Sequence, residues 1–143
     1  HHPTEIAATL AAAKTYAAGG KIVAVWQPHR FSRLSSLYQE FLSCFDLADY
    51  IIVCPIYSAG EVDQLGCSNT KLAQDLVVAN NSKEVLVIDD LDQLVNAVAG
   101  LNHNNMLVLC MGAGNITQAA KDLPNLLGQI NNSCQFNKVA HEH

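Results

Sequence analysis

The sequence predicts an α/β fold: a three-layer domain built on a mostly parallel sheet with helices on both faces. Three observations carry this. The chain has 143 residues and half are apolar, which fits one cored domain rather than two. It contains four short apolar runs: KIVAVW (Lys21–Trp26), Tyr50–Cys54, EVLVI (Glu84–Ile88) and MLVLCM (Met106–Met111). Each run is followed by a segment with helical spacing, the pattern of a parallel sheet covered on both sides.

The elements follow in order. Thr4 is expected to N-cap an Ala- and Leu-rich helix that runs to about Ala18 and ends at Gly19-Gly20. After the first strand, Gln27–Phe31 is a loop carrying Pro28. Arg33–Phe45 reads as one amphipathic helix, with Leu34, Leu37, Phe41, Cys44 and Phe45 at three- and four-residue steps. Pro55–Cys67 is a longer connection, and Ser68 caps a helix over Thr70–Ala79. Asp89, Asp90 and Asp92 suit a cap and helix start before a short helix, Leu91–Ala99. Ile116–Leu127 is helical, with Pro124 bending or ending it. The tail from Asn131 is polar and reads as a weak or disordered element.

Composition narrows the function. Charged residues make up 15% of the chain and the net charge is −5, a poor basis for nonspecific nucleic-acid binding. No apolar run approaches the ~20 residues that span a bilayer, and no signal peptide is visible. The five cysteines, Cys44, Cys54, Cys67, Cys110 and Cys134, show no CxxC spacing. They read as thiols of a reducing cytosol, with Cys44, Cys54 and Cys110 buried and inert.

In a parallel α/β sheet, ligands bind at loops beyond the carboxyl ends of the strands. Three loops meet that description: 27–33, 55–66 and 112–115. The first holds the chain's only two arginines, Arg30 and Arg33, in QPHRFSR beside His29. A guanidinium holds carboxylate or phosphate oxygens with a planar, permanently charged fork. A helix N-terminus at Arg33 would add backbone N–H groups. The trio reads as an anion clamp; the plain alternative is two solvated arginines. IYSAGE puts Tyr57 and Glu61 in the second of these loops, where Glu61 would orient Arg30 or Arg33 or bind an amine; the plain alternative is a loop with one solvated Glu. Gly112-Ala113-Gly114 permits close backbone approach, or is only a tight turn. The chain opens His1-His2-Pro3 without Met, and the histidines read as either a tag remnant or native sequence. His103 reads as a loop residue. No Ser/His/Asp or Cys/His order and no metal-ligand spacing appears, so no residue is assigned a catalytic or metal-binding role.

HHPTEI (His1–Ile6), QPHRFSR (Gln27–Arg33), IYSAGE (Ile56–Glu61) and MGAGNI (Met111–Ile116) occur in this order. Together they resemble the C-terminal domain of the UDP-N-acetylmuramate–L-alanine ligases, the alanine-adding branch of the Mur ligase family. The likeness reaches to about residue 127, so residues 1–130 are read as that domain and 131–143 as a tail. HHPTE is shared with the murein-peptide recycling ligases; QPHRFSR and the YxAGE-type loop favour the alanine-adding branch. On this likeness His1 and His2 are native residues.

The resemblance implies a Rossmann-like domain that closes over a central ATPase domain and delivers the amino acid. ATP activates the UDP-N-acetylmuramate carboxylate as an acyl phosphate, which L-alanine attacks. ATP and Mg2+ are bound mainly by the central domain of the full-length enzyme, in the cytoplasm. His29 and Arg33 match positions that bind the amino-acid carboxylate or an adjoining anionic centre, and Arg30 adds charge between them. His1, and less directly His2, matches the nucleotide side of the interdomain cleft, near the Gly112–Gly114 loop. The sequence departs from the family pattern at Asn115, where Asp is usual, and at Pro55, where a polar residue is common. The acidic residue and Tyr that precede HHPTE, the P-loop, the magnesium ligands and the UDP-sugar domain do not occur in these residues. The chain alone is therefore expected to be inactive. The rival readings are a recycling-ligase domain and a stand-alone small-anion-binding module.

Overall fold

The computed structural model describes residues 1–81 and 83–139. Four strands form one parallel sheet in the order β3-β2-β1-β4: β1 Lys21–Trp26, β2 Tyr50–Val53, β3 Glu84–Val87 and β4 Met106–Met111. The six helices are α1 Pro3–Tyr16, α2 Phe31–Ser36, α3 Tyr38–Ser43, α4 Asn69–Ala79, α5 Leu94–Gly100 and α6 Ile116–Val139, and a 3-10 turn, Leu91–Gln93, precedes α5. No helix among the described residues is long and apolar enough to cross a membrane.

Side-chain alternation along β1 explains the three layers. Ile22, Ala24 and Trp26 face one side with Ile51 and Val53, where they meet Ile6 and Leu10 of α1, Phe41 of α3 and Leu72 and Leu76 of α4. Val23 and Val25 face the other side with Ile52 and Cys54, where they meet Leu94 and Val98 of α5 and Ile116 and Leu123 of α6. Trp26 anchors the first layer, its ring 4.8 Å from Phe41 and 5.3 Å from Phe45. The buried thiols of Cys44 and Cys54 are each pushed up to about 12 by burial, and burial also raises Cys110, so these sulfurs stay protonated and inert.

Three elements differ from the sequence expectation. His2, not Thr4, caps α1: its ring nitrogen accepts from Thr4 N–H at 3.3 Å and Glu5 accepts from His2 N–H at 3.1 Å, a capping box with Pro3 at the first helical position. The expected helix 33–45 is two short helices broken at Leu37 (φ −116°, ψ 24°). Serines weaken the join: Ser36 Oγ donates back to Ser32 O at 2.8 Å, competing with the helical pattern. The apolar stripe survives the break, since Leu34, Phe41, Leu42 and Phe45 are all buried. Helix α6 neither ends at Pro124 nor stops before the polar tail, but runs to Val139. Proline removes one hydrogen bond, while Ile116, Leu123 and Leu127, on both sides of it, hold the helix to the sheet. The tail residues 140–143 lie outside the described residues.

The register places the site. Trp26 pairs with Val53 and with Met111, so β1, β2 and β4 end at one level. The three loops that follow them emerge side by side.

Candidate functional site

The loops are tied together by Gln27, the first residue after β1 and only 2% exposed. Its Nε2 donates to Asn115 Oδ1 at 2.7 Å and to Pro55 O at 3.3 Å. Its Oε1 accepts from Ile116 N–H at 3.1 Å, an otherwise orphan donor in the first turn of α6. One amide thus joins the ends of β1, β2 and β4. The sequence reading missed this residue; its only signal is a glutamine ending an apolar strand just before Pro28.

Beyond Gln27 the first two loops pair briefly, as an isolated parallel bridge between His29 and Tyr57. Tyr57 N–H donates to Pro28 O and Arg30 N–H to Tyr57 O, both at 2.8 Å. Arg30 then adopts φ +66° and ψ 133°, a strained conformation for a non-glycine residue, and turns the chain into α2. The bridge stacks the His29 and Tyr57 rings, 5.6 Å apart and 11° from parallel. His1 reaches the same cluster from the start of α1, its ring 5.5 Å from His29.

The glycine loop supports this stack. A Cβ at Gly114 would lie 2.5 Å from Tyr57 Cγ, and one at Gly112 would lie 2.9 Å from Gln27 O. Both positions need glycine for room, so the loop shapes the backbone around Tyr57 and Gln27. Gly114→Ala is expected to cost about 1–3 kcal/mol of stability by overpacking and to push Tyr57 off His29. Thermal unfolding and ring-to-ring nuclear Overhauser contacts check the two effects; an intact stack with an unchanged melting point overturns the assignment.

The charges are arranged as follows. Arg33, at the third position of α2, places Nη1 3.3 Å from His29 Nδ1. Arg30 Nη1 lies 3.9 Å from Glu61 Oε1. Glu61 spends most of its capacity elsewhere, accepting from Ser32 Oγ at 2.6 Å and Ser32 N–H at 3.0 Å. These hydrogen bonds, with weaker help from Arg30, hold its carboxyl below the usual range. His29 is also lowered, first by burial, then by Arg33 and Arg30. A lowered histidine is neutral at pH 7 and protonates only at a more acidic pH than usual.

One expectation needs correction. The N-terminus of α2 does not offer Ser32 N–H to an anion, because Glu61 takes it; Ile116 N–H of α6 is likewise taken, by Gln27. Glu61 caps α2, a role the sequence did not show, and also pairs with Arg30, one of the roles expected of it. The structure brings His1, His29, Arg30, Arg33, Tyr57, Glu61, Gly112 and Gly114 to this one edge, while His2 caps α1.

A cleft of about 290 Å³ borders Tyr57, lined also by Ser58, Asp89, Asp90 and Asn115. A second, of about 470 Å³, runs between the 3-10 turn and α6 and includes Asp90, Asp92 and Asp122. Asp90 caps that turn, accepting from Asp92 N–H at 2.9 Å. Among the described residues no three His, Cys, Asp or Glu side chains converge on a metal position. Tyr57 and Gln27 fill the space around the glycine loop, which leaves it no room to cradle a phosphate.

An all-parallel α/β/α sandwich whose carboxyl edge gathers its arginines is a Rossmann-like domain. The family model described as "Mur ligase, glutamate ligase domain" matches residues 1–114, and the chain belongs to the Mur ligase family as a C-terminal domain. It is 48% identical over 124 residues to a UDP-N-acetylmuramate–L-alanine ligase of Rhodopseudomonas palustris, covering 87% of this chain and 26% of that protein. It is 40% identical over 136 residues to the ligase of that name from Bartonella henselae, covering 95% and 28%. Among solved structures it resembles a UDP-N-acetylmuramate–alanine ligase of Thermotoga maritima, with TM-score 0.66, 26% identity and coverage of 87% and 24%. A murein peptide ligase of Psychrobacter arcticus shares the fold, with TM-score 0.70, 22% identity and coverage of 90% and 26%. The chain thus spans about a quarter of the length of the relatives it matches.

Proposed function

We propose that this chain is the amino-acid-binding domain of an ATP-dependent ligase that joins L-alanine to UDP-N-acetylmuramate. The observation that carries this reading is the grouping of His29, Arg30 and Arg33 at the edge where the three loops meet, with Glu61 hydrogen-bonded to Ser32 and only loosely paired with Arg30 at 3.9 Å. Such a group of donors suits the carboxylate of an amino acid. The names of the relatives supply the substrates.

In this reaction the sugar carboxylate becomes an acyl phosphate at the expense of ATP, the amine of L-alanine attacks it, and phosphate leaves. The present residues hold the amino-acid carboxylate so that the amine is presented across an interdomain cleft, with His1 on its nucleotide side. The N-terminal and central domains supply the sugar-nucleotide site and the sites for ATP and Mg2+. A cytoplasmic location goes with ATP use and reduced thiols.

The test is ADP release by the longer protein with UDP-N-acetylmuramate, comparing L-alanine with the recycling tripeptide. Alanine-dependent turnover is expected. Turnover with the tripeptide alone would move the chain to the recycling branch, and none with either would favour a small-anion-binding module. The isolated 143-residue chain is expected to show no turnover, because acyl-phosphate formation needs positioned phosphates and metal charge.

A further inference from the structure

We propose that Arg33 locks His29 in its Nε2–H tautomer, so that His29 meets the amino acid as a hydrogen-bond donor to its carboxylate and takes no proton from its ammonium group. This rests on the amino-acid reading of the site. A guanidinium has no acceptor, so the contact between Arg33 Nη1 and His29 Nδ1 at 3.3 Å exists only if Nδ1 carries a lone pair. A neutral imidazole then carries its proton on Nε2. Protonating the ring would set an N–H of His29 against an N–H of Arg33.

The ring's position reinforces the lock. Tyr57 stacks on it and His1 touches it, which opposes rotation out of the Arg33 contact. The charged and titratable groups around it are Arg30, Arg33, Glu61, Tyr57, and His1 with its backbone amine. The positive groups among them disfavour imidazolium, as does burial, and Glu61, engaged by Ser32, opposes them only weakly. Among the described residues Nε2 has no hydrogen-bond partner. Arg30, Arg33 and His29 therefore present donors, which suits an acidic oxygen and disfavours an ammonium group. In this arrangement Arg33 is a positioning residue for His29 as well as a carboxylate contact.

The tautomer is read directly from nitrogen-15 spectra of the 143-residue chain with labelled histidine. At neutral pH the expected pattern is a proton on Nε2 and an unprotonated Nδ1. In Arg33→Ala the exclusive Nε2–H form should relax to the mixture of tautomers of an unconstrained neutral imidazole, still richer in Nε2–H, and the His29 pKa should rise; Arg33→Lys, which also donates, should keep the exclusive form. An Nδ1–H form in the parent chain, or an exclusive Nε2–H form retained in Arg33→Ala, overturns the proposal. In the longer ligase, His29→Gln retains an amide donor near the Nε2 position and should hold kcat/KM for L-alanine about tenfold or more above His29→Leu. Equal losses overturn the donor role. The tautomer is read with no ligand present, so a failure of the ligase reading leaves this lock to stand or fall on its own spectrum.

Discussion

Arg33→Ala in the longer ligase is expected to lower kcat/KM for L-alanine by about 30- to 1000-fold, with the KM for ATP nearly unchanged. The magnitude follows from losing a charge-assisted, bidentate contact to a carboxylate, about 2–4 kcal/mol of transition-state stabilisation. The split between substrates follows from the proposed role of Arg33, which sits beside His29 at the edge where the three loops meet. Arg33→Lys should restore only part of the rate. It keeps a charge and a donor to His29 but lacks the fork that grips two oxygens. Steady-state kinetics with each substrate varied in turn checks this, and unchanged alanine kinetics would remove Arg33 from the site.

The second large effect belongs to Gln27. Gln27→Leu leaves the buried Ile116 N–H without its acceptor and unties Asn115 and Pro55 from the end of β1. The expected loss is about 2–3 kcal/mol, since a stranded buried donor costs about 1–3 kcal/mol and further bonds go with it. For a domain of this size that corresponds to a melting point lower by about 6–12 °C. Asn115→Asp is the control: a carboxylate accepts from Gln27 Nε2 as an amide oxygen does, so stability should hold. Asn115→Leu removes the acceptor and should reproduce part of the Gln27→Leu loss. Thermal and urea unfolding of the three variants separates these outcomes. Equal stability of Gln27→Leu and the parent chain would show that the loops do not depend on this amide.

Local chemistry made much of the fold legible. The runs KIVAVW and MLVLCM end where β1 and β4 end, because apolar residues flanked by turns have one stable use, a strand covered on both faces. Ser68 caps α4 as expected, accepting from Lys71 N–H at 3.3 Å. The break at Leu37 was hidden because the apolar spacing continues through it, and periodicity reports the buried face rather than the continuity of the backbone. Pro124 misled in the opposite direction: packing on both sides of it outweighs one missing hydrogen bond.

The site divides along the same line. Residue type alone marked Arg30, Arg33 and His29, since the chain's only two arginines beside a histidine at a strand's carboxyl end stand out in a weakly charged sequence. Their working arrangement depends on partners far away in the chain. Glu61 reaches Ser32 and pairs with Arg30 only at 3.9 Å, Tyr57 stacks on His29 above a glycine that has no room for a methyl, and Gln27 spans to Asn115. By itself the sequence determined the strands and the two-sided burial and singled out the arginines and His29 as candidates, because each follows from residue type and the preferences of neighbouring residues. The tertiary structure alone decided which side chains meet at this edge and which of their donors are already engaged, because hydrogen bonds between distant segments have no local pattern to read.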